Sequence, residues 1–159
     1  MSLAKELKMN DEFDSPQHEA LLNIVRTAQV LAKHGQVFFQ RYDLTEAQYN
    51  VLIVLKLEGR PLTQVELGDR LVVSRANITA LLDKLEKKGW VRRCTVDGDR
   101  RVFEILLTEA GRKTVDTVEP LYLKEVRHCM RGLESGECRR LSETLAVVRD
   151  TVGRGEHAE

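Results

Sequence analysis

The chain has 159 residues, 42% hydrophobic and 31% charged, a size and balance suited to one ordered domain with a real core. Aromatics make up 5% and prolines number three, too few for an all-β sandwich or barrel with its many turns. Net charge is zero but unevenly spread: residues 1–20 carry −3, 21–59 carry +1, 60–101 carry +4 and 102–159 carry −2, so an anionic partner is expected at the middle of the chain.

Residues 1–14 are polar, acidic and aperiodic, and are expected to form a flexible arm. Ser15-Pro16 is a helix start, with serine as the N-cap and proline at the first helical position. Leu21, Ile24, Val25, Ala28, Leu31 and Ala32 then follow at helical spacing, which predicts a helix to about Gln40. Thr45 with Gln48 is a capping box before the apolar run Tyr49 to Leu57, a helix for the centre of a domain, stopped by Gly59-Arg60-Pro61. Thr63 with Glu66 is a second capping box and opens a short helix through Leu71.

Ser74 is expected to cap a longer helix with Ile78, Leu81, Leu82 and Leu85 on one stripe, ended by Gly89 in the position that favours a left-handed residue. Trp90 to Val96 and Val102 to Leu107 read as two strands around an Asp97-Gly98-Asp99 tip. Thr108 caps a long helix, and Ser135 starts a last one with Leu141, Leu145, Val148 and Val152 on one side.

The fold class that follows is mainly α with a small β-hairpin wing (α+β). A winged helix-turn-helix over 44–108 is flanked by a helical dimerisation region over 15–43 and 109–154. The outer helices carry more apolar stripe than one small domain can cover, which favours a two-fold homodimer. The longest apolar runs fall short of a membrane span and the N-terminus does not read as a signal peptide, so a cytoplasmic protein without membrane contact is expected. Cys94, Cys129 and Cys138 are too scattered for a disulfide framework or a metal cluster. Hydrolase, nucleotide-binding and zinc-protease motifs are missing and the four histidines lack metal spacing, so neither catalysis nor a cofactor is expected. A protein-binding winged-helix adaptor is the other reading; Arg92-Arg93 and Arg100-Arg101 weigh against it.

Several stretches together resemble the MarR family of bacterial transcription regulators, from about Gln17 to Val152. They are Leu44 to Tyr49, Thr63 to Leu71, Ser74 through Lys88-Gly89-Trp90-Val91, and Asp99-Arg100-Arg101 followed by Leu107-Thr108-Glu109-Ala110-Gly111. A lone Asp-x-Arg means little; at this distance from Leu107-Thr108 and the preceding helix it is specific. Ala80 departs from the family, where many members carry a polar or basic side chain. The resemblance implies a regulator of double-stranded DNA at a palindromic operator, most often a repressor relieved by a small phenolic or aromatic molecule.

A helix reads the major groove through side chains near its N-terminal half. With the Ile78 stripe facing inward, Arg75, Asn77, Thr79 and Ala80 are left at the exposed side. Arg75 suits a guanine edge, and Asn77 either an adenine or the helix cap. Thr63 and Ser74 serve as caps, or also offer hydroxyls to phosphates. Arg101 at the wing tip is placed for the minor groove, with Arg100 beside it. Asp99 resembles the family acid that holds that arginine, and is otherwise an ordinary turn aspartate. Lys84 joins the DNA-binding set; Lys87, Lys88, Arg92 and Arg93 are phosphate contacts or solubilising charges. The family also implies a ligand pocket near the junction of the winged domain and the dimer helices, for which His34, Phe38, Tyr42 and Tyr49 are the candidates, with core packing as their other role. The family's peroxide-sensing cysteine near the start of the first helix has no counterpart, so the three thiols are expected to be buried and inert.

Overall fold

The computed structural model describes residues 3–8, 13–71, 78–96 and 99–155, with the side chains of 96, 99–102, 154 and 155 outside that description. The chain divides into two compact units, Met1–Val115 and Asp116–Glu159.

In the first unit most of the local signals that fall on described residues have a physical counterpart. Helix α1 (Leu3–Glu6) is a single turn, where a flexible arm was expected; Leu3 is buried and Arg26 Nε donates to Glu6 Oε1 at 2.7 Å, which ties that turn to the next helix. Helix α2 (Pro16–Gln40) starts as expected, with Ser15 accepting from the His18 N–H at 3.2 Å. Helix α3 (Glu46–Glu58) opens on the full Thr45–Gln48 capping box and closes on Gly59 at φ 65°, a left-handed conformation that glycine adopts without strain. Val51, Leu52 and Leu55 are buried at its centre, whereas Leu57 at its end is 74% exposed.

Strand β1 (Leu62–Thr63) then leads directly into α4 (Gln64–Arg70). Helix α5 is described over Ile78–Lys87, and the hairpin is β2 (Val91–Val96) and β3 (Asp99–Leu107). The sheet is antiparallel with order β1-β3-β2, pairing Leu62 with Ile105 and Arg93 with Ile105 from the other side. Two points differ from the sequence-based expectation. Leu62–Thr63 is a strand, and β3 begins at Asp99 instead of Val102, with an irregularity in register between Thr95 and Val96. Bulges of this kind bend a hairpin and increase its twist.

Helix α6 (Glu109–Cys129) begins in the first unit, where Thr108 Oγ1 accepts from the Gly111 N–H at 3.1 Å and donates to the Gly89 carbonyl at 2.6 Å. Fully buried side chains from α2, α3, β1, α4, α5, β2, β3 and α6 make the core, with Phe39, Leu52, Leu67, Leu82, Leu85, Ile105 and Val115 at its centre. Each buried leucine contributes about 1.5–3 kcal/mol against the exposed state.

The second unit holds the rest of α6 and α7 (Ser135–Gly155). Helix α6 runs on through Pro120, which supplies no N–H to the carbonyl four residues earlier. Between the helices the Glu134 N–H donates to Glu137 Oε2 at 2.8 Å, a cap for the start of α7. Leu141, Val147, Val148 and Val152 on α7 keep much of their surface exposed.

Candidate nucleic-acid interface

The interface is built on α4, α5 and the hairpin. Thr63 starts α4: its Oγ1 accepts from the Glu66 N–H at 3.2 Å and donates to Glu66 Oε2 at 2.9 Å, while its backbone N–H donates to the same carboxylate at 2.8 Å. Arg60 donates to the other oxygen of Glu66 at 2.9 Å. The backbone donor of Thr63, then Arg60 and the Thr63 hydroxyl, hold the Glu66 carboxyl down at about 2. The Thr63 hydroxyl proton is therefore engaged within the cap.

On α5 the apolar stripe faces the core, with Leu82 and Leu85 buried and Ile78 and Leu81 half-buried. Thr79, Ala80 and Lys84 lie on the exposed side, as helical geometry requires of positions off that stripe. Thr79 Oγ1 pairs with Gln64 Nε2 of α4 at 2.8 Å, a link for which the sequence holds no short-range signal. The helix ends in a Schellman motif: Gly89 stands at φ 71°, its N–H donates to the Glu86 carbonyl at 2.8 Å, and the Trp90 N–H donates to the Leu85 carbonyl at 3.0 Å. Ser74, Arg75 and Asn77 lie outside the described residues, as do the side chains of Asp99, Arg100 and Arg101; the backbone of the last three belongs to β3.

The basic cluster separates into two kinds of residue. Lys84, Lys87 and Arg92 are exposed. Lys88 is paired at the surface: its Nζ donates to the Asp43 carbonyl and to Asp43 Oδ2, the latter at 2.8 Å, and lies 4.4 Å from the Trp90 ring centroid. Asp43 itself sits at φ 53°, an uncommon conformation for a residue with a side chain. Arg93 is held by Asp83 at 2.6 Å and Glu86 at 2.7 Å. Burial works against the charge of its guanidinium, and the hydrogen bonds to Asp83 and Glu86 outweigh that, so its pKa is held above the ordinary value. Lys88 and Arg93, expected as phosphate contacts or solubilising charges, are thus each held in ion pairs within the chain.

The four pocket candidates occupy unlike places. Phe38 and Tyr49 are buried, Tyr42 is half-buried and His34 is exposed. Phe38 and Tyr42 pack with ring centroids 5.2 Å apart, and Phe39 and Tyr49 with 5.0 Å. His34 instead lines an open groove of about 580 Å³ along α2, beside Val30 and Val37 and between Arg26 and Arg41. The thiols are less enclosed than expected: Cys129 is exposed and Cys94 and Cys138 are half-buried.

Known proteins resemble this chain in sequence and fold. A model of the MarR family matches residues 42–102, which span the end of the α2–α3 corner to the start of β3. The HTH-type transcriptional regulator TtmR from Methylorubrum extorquens is 31% identical over 140 residues, covering 88% of this chain and 70% of its own length. Against HTH-type regulators of Dickeya dadantii and Bacillus cereus the match spans 68% and 65% of their length, about two thirds. Among solved structures, Sco3205 from Streptomyces coelicolor, a MarR family transcriptional regulator in complex with DNA, has a TM-score of 0.79 at 22% identity over 90% of this chain and 92% of its own. The organohalide-sensing regulator RdhR-CbdbA1625 in its 2,4-dichlorophenol-bound form also has a TM-score of 0.79, at 18% identity, over 90% of this chain and 87% of its own.

Proposed function

This chain belongs to the MarR family of transcription regulators, and from that premise we propose that it is a dimeric, sequence-specific DNA-binding repressor, released from a palindromic operator by a small aromatic or phenolic ligand. The observation that carries DNA binding is α5: a helix whose apolar face is buried and whose opposite face presents Thr79, Ala80 and Lys84, with the exposed Arg92 on the adjoining strand. An α-helix of this kind fits the major groove. Arg75 and Asn77 ahead of it would read base edges with Thr79. Arg101 with Arg100, steadied by Asp99, would enter the adjacent minor groove, where a narrow A·T-rich segment concentrates negative potential.

The dimer is supported by apolar side chains left exposed along the outer helices, among them Leu21, Val25, Val30 and Val37 on α2 and Val147, Val148 and Val152 on α7. Surface of that kind on a small protein marks an interface. Two protomers would present recognition helices to half-sites about one helical turn, roughly 34 Å, apart. A ligand role for His34, Phe38, Tyr42 and Tyr49 is supported by the dichlorophenol-bound relative. The described helices include none long and apolar enough to cross a membrane.

The test is a gel shift with the DNA upstream of the protein's own gene, repeated with a panel of aromatic acids and phenols. A retarded complex that one of these compounds dissolves is the expected result. A protein that retards no duplex, or a complex indifferent to the whole panel, would overturn the DNA or the ligand half of the proposal respectively.

A further inference from the structure

One side chain of the hairpin is bonded along the length of α5. Arg93 on β2 places Nη2 2.6 Å from Asp83 Oδ1 and Nη1 2.7 Å from Glu86 Oε2. Its Nη2 also donates to the Thr79 carbonyl at 3.3 Å, and its backbone N–H donates to Glu86 Oε1 at 2.9 Å. Thr79, Asp83 and Glu86 are four and three residues apart, so they share one face of the helix. The guanidinium therefore runs lengthwise along that face as a strap. Its other end is firm, because Arg93 pairs in the sheet with Ile105, which is fully buried. Only 21% of the Arg93 side chain is exposed, whereas neighbouring Arg92, projecting to the opposite face of the strand, is open to solvent.

We infer that Arg93 is a positioning residue for DNA recognition: it fixes α5 against the hairpin so that helix and wing meet DNA as one body, and it does not itself contact phosphate. The inference rests on the DNA-binding reading above. A guanidinium already facing two carboxylates has its charge compensated; turning it to a phosphate would leave Asp83 and Glu86 unpaired beside a polyanion. Without the strap, α5 keeps its buried leucines but loses the polar contacts that set its angle to β2. The cost would then fall on sequence-specific contacts, which demand geometry, and spare the diffuse attraction to phosphates, which does not.

The full-length protein is titrated onto fluorescent operator and onto a shuffled duplex at several salt concentrations, as wild type, Arg93→Ala, Arg93→Lys, Asp83→Asn and Arg92→Ala. Arg93→Ala and Asp83→Asn are expected to lose about tenfold or more on the operator, the scale of a lost specific contact, while the shuffled duplex changes by about twofold or less and the salt slope is unchanged. Arg93→Lys, which keeps the charge but not the fork, should recover part of the loss. If Arg93→Ala weakens both duplexes equally and lowers the salt slope by about one, as expected for Arg92→Ala, Arg93 is a phosphate contact and the inference fails. It fails too if Asp83→Asn tightens both duplexes, the response of a charge acting only through the overall field. Amide exchange over Ile78–Lys87 needs no DNA and should quicken in Arg93→Ala and Asp83→Asn; unchanged exchange overturns the strap even if the wild type binds neither duplex. Should Arg93→Ala not fold, the Asp83→Asn and Arg93→Lys pair decides the same question.

Discussion

Replacing Gly111 by alanine tests the packing that seats α6 on the winged domain. A methyl group built there would fall on the Trp90 carbonyl oxygen, well inside van der Waals contact, and would lie 2.8 Å from Leu107 Cδ1 and 2.9 Å from the Trp90 carbonyl carbon. The obstacle is largely backbone, so no rotamer change relieves it. That carbonyl accepts from the Thr108 N–H at 3.1 Å, and the Thr108 hydroxyl bridges the Gly89 carbonyl and the Gly111 N–H, so moving α6 away strains this chain of hydrogen bonds, either at Gly89 and Trp90 or at the Gly111 cap. Overpacking costs about 1–3 kcal/mol, the upper end where backbone is the neighbour, and the better helix propensity of alanine returns at most about 1 kcal/mol. The net loss is about 2 kcal/mol, or a fall in melting temperature of about 4–8 °C for a chain of this size. Gly35→Ala is the control: it lies inside α2, and its new methyl would meet only the flexible Glu46 carboxylate at 3.7 Å. There the same chemical change should raise stability by about 0.5–1 kcal/mol. Thermal melts by circular dichroism at one protein concentration compare the two. Gly111→Ala melting with or above the wild type would refute the close seat of α6.

The depressed Glu66 carboxyl contributes stability that is complete above its ordinary value near 4.5 and is lost as pH falls through about 2; urea titrations should show the gap between wild type and Glu66→Gln closing across that window. A gap that stays constant from pH 5 to 2 would mean the carboxylate is not held by Thr63 and Arg60. Leu145→Asp with Val148→Asp should turn a sedimenting dimer into monomer or unfolded chain, since unpaired charges are costly to bury, and a wild type that is already monomeric at micromolar concentration contradicts the dimer. Changing Cys94, Cys129 and Cys138 together to serine should leave DNA binding and its release by ligand intact; mild peroxide releasing the wild type but not this variant would move regulation to the thiols. Arg101→Ala should cost on the order of 1–3 kcal/mol per half-site and Arg92→Ala a smaller, sequence-independent amount, compared by anisotropy on one operator at fixed salt.

The features legible in the sequence were those whose causes are local. Ser15-Pro16, Thr45 with Gln48, Thr63 with Glu66, and Gly89 after a leucine stripe each act over about one turn of helix, and α2, α3, α4 and the Schellman end of α5 follow them. Strand β1 escaped because two residues carry no periodicity; Leu62 and Thr63 are extended by pairing with Ile105 and Glu104, some forty positions away. The partners of the basic cluster escaped for the same reason. Arg92 and Arg93 are equivalent as letters, and only the pleat of β2 turns one to solvent and the other onto Asp83 and Glu86. Lys88 likewise meets Asp43 across forty-five positions. Thr63 was expected as a cap, and its hydroxyl also donates to Glu66, whose other carboxylate oxygen is held by Arg60.

DNA recognition by the α5 face and the hairpin is tested most directly by fluorescence anisotropy of the wild-type protein with its own upstream DNA and with a shuffled duplex of equal composition, each across a salt series. Binding to the upstream site should be at least about a thousandfold tighter than to the shuffled duplex, and both affinities should fall steeply with salt. Equal affinity for the two duplexes, or binding that salt does not weaken, would contradict it.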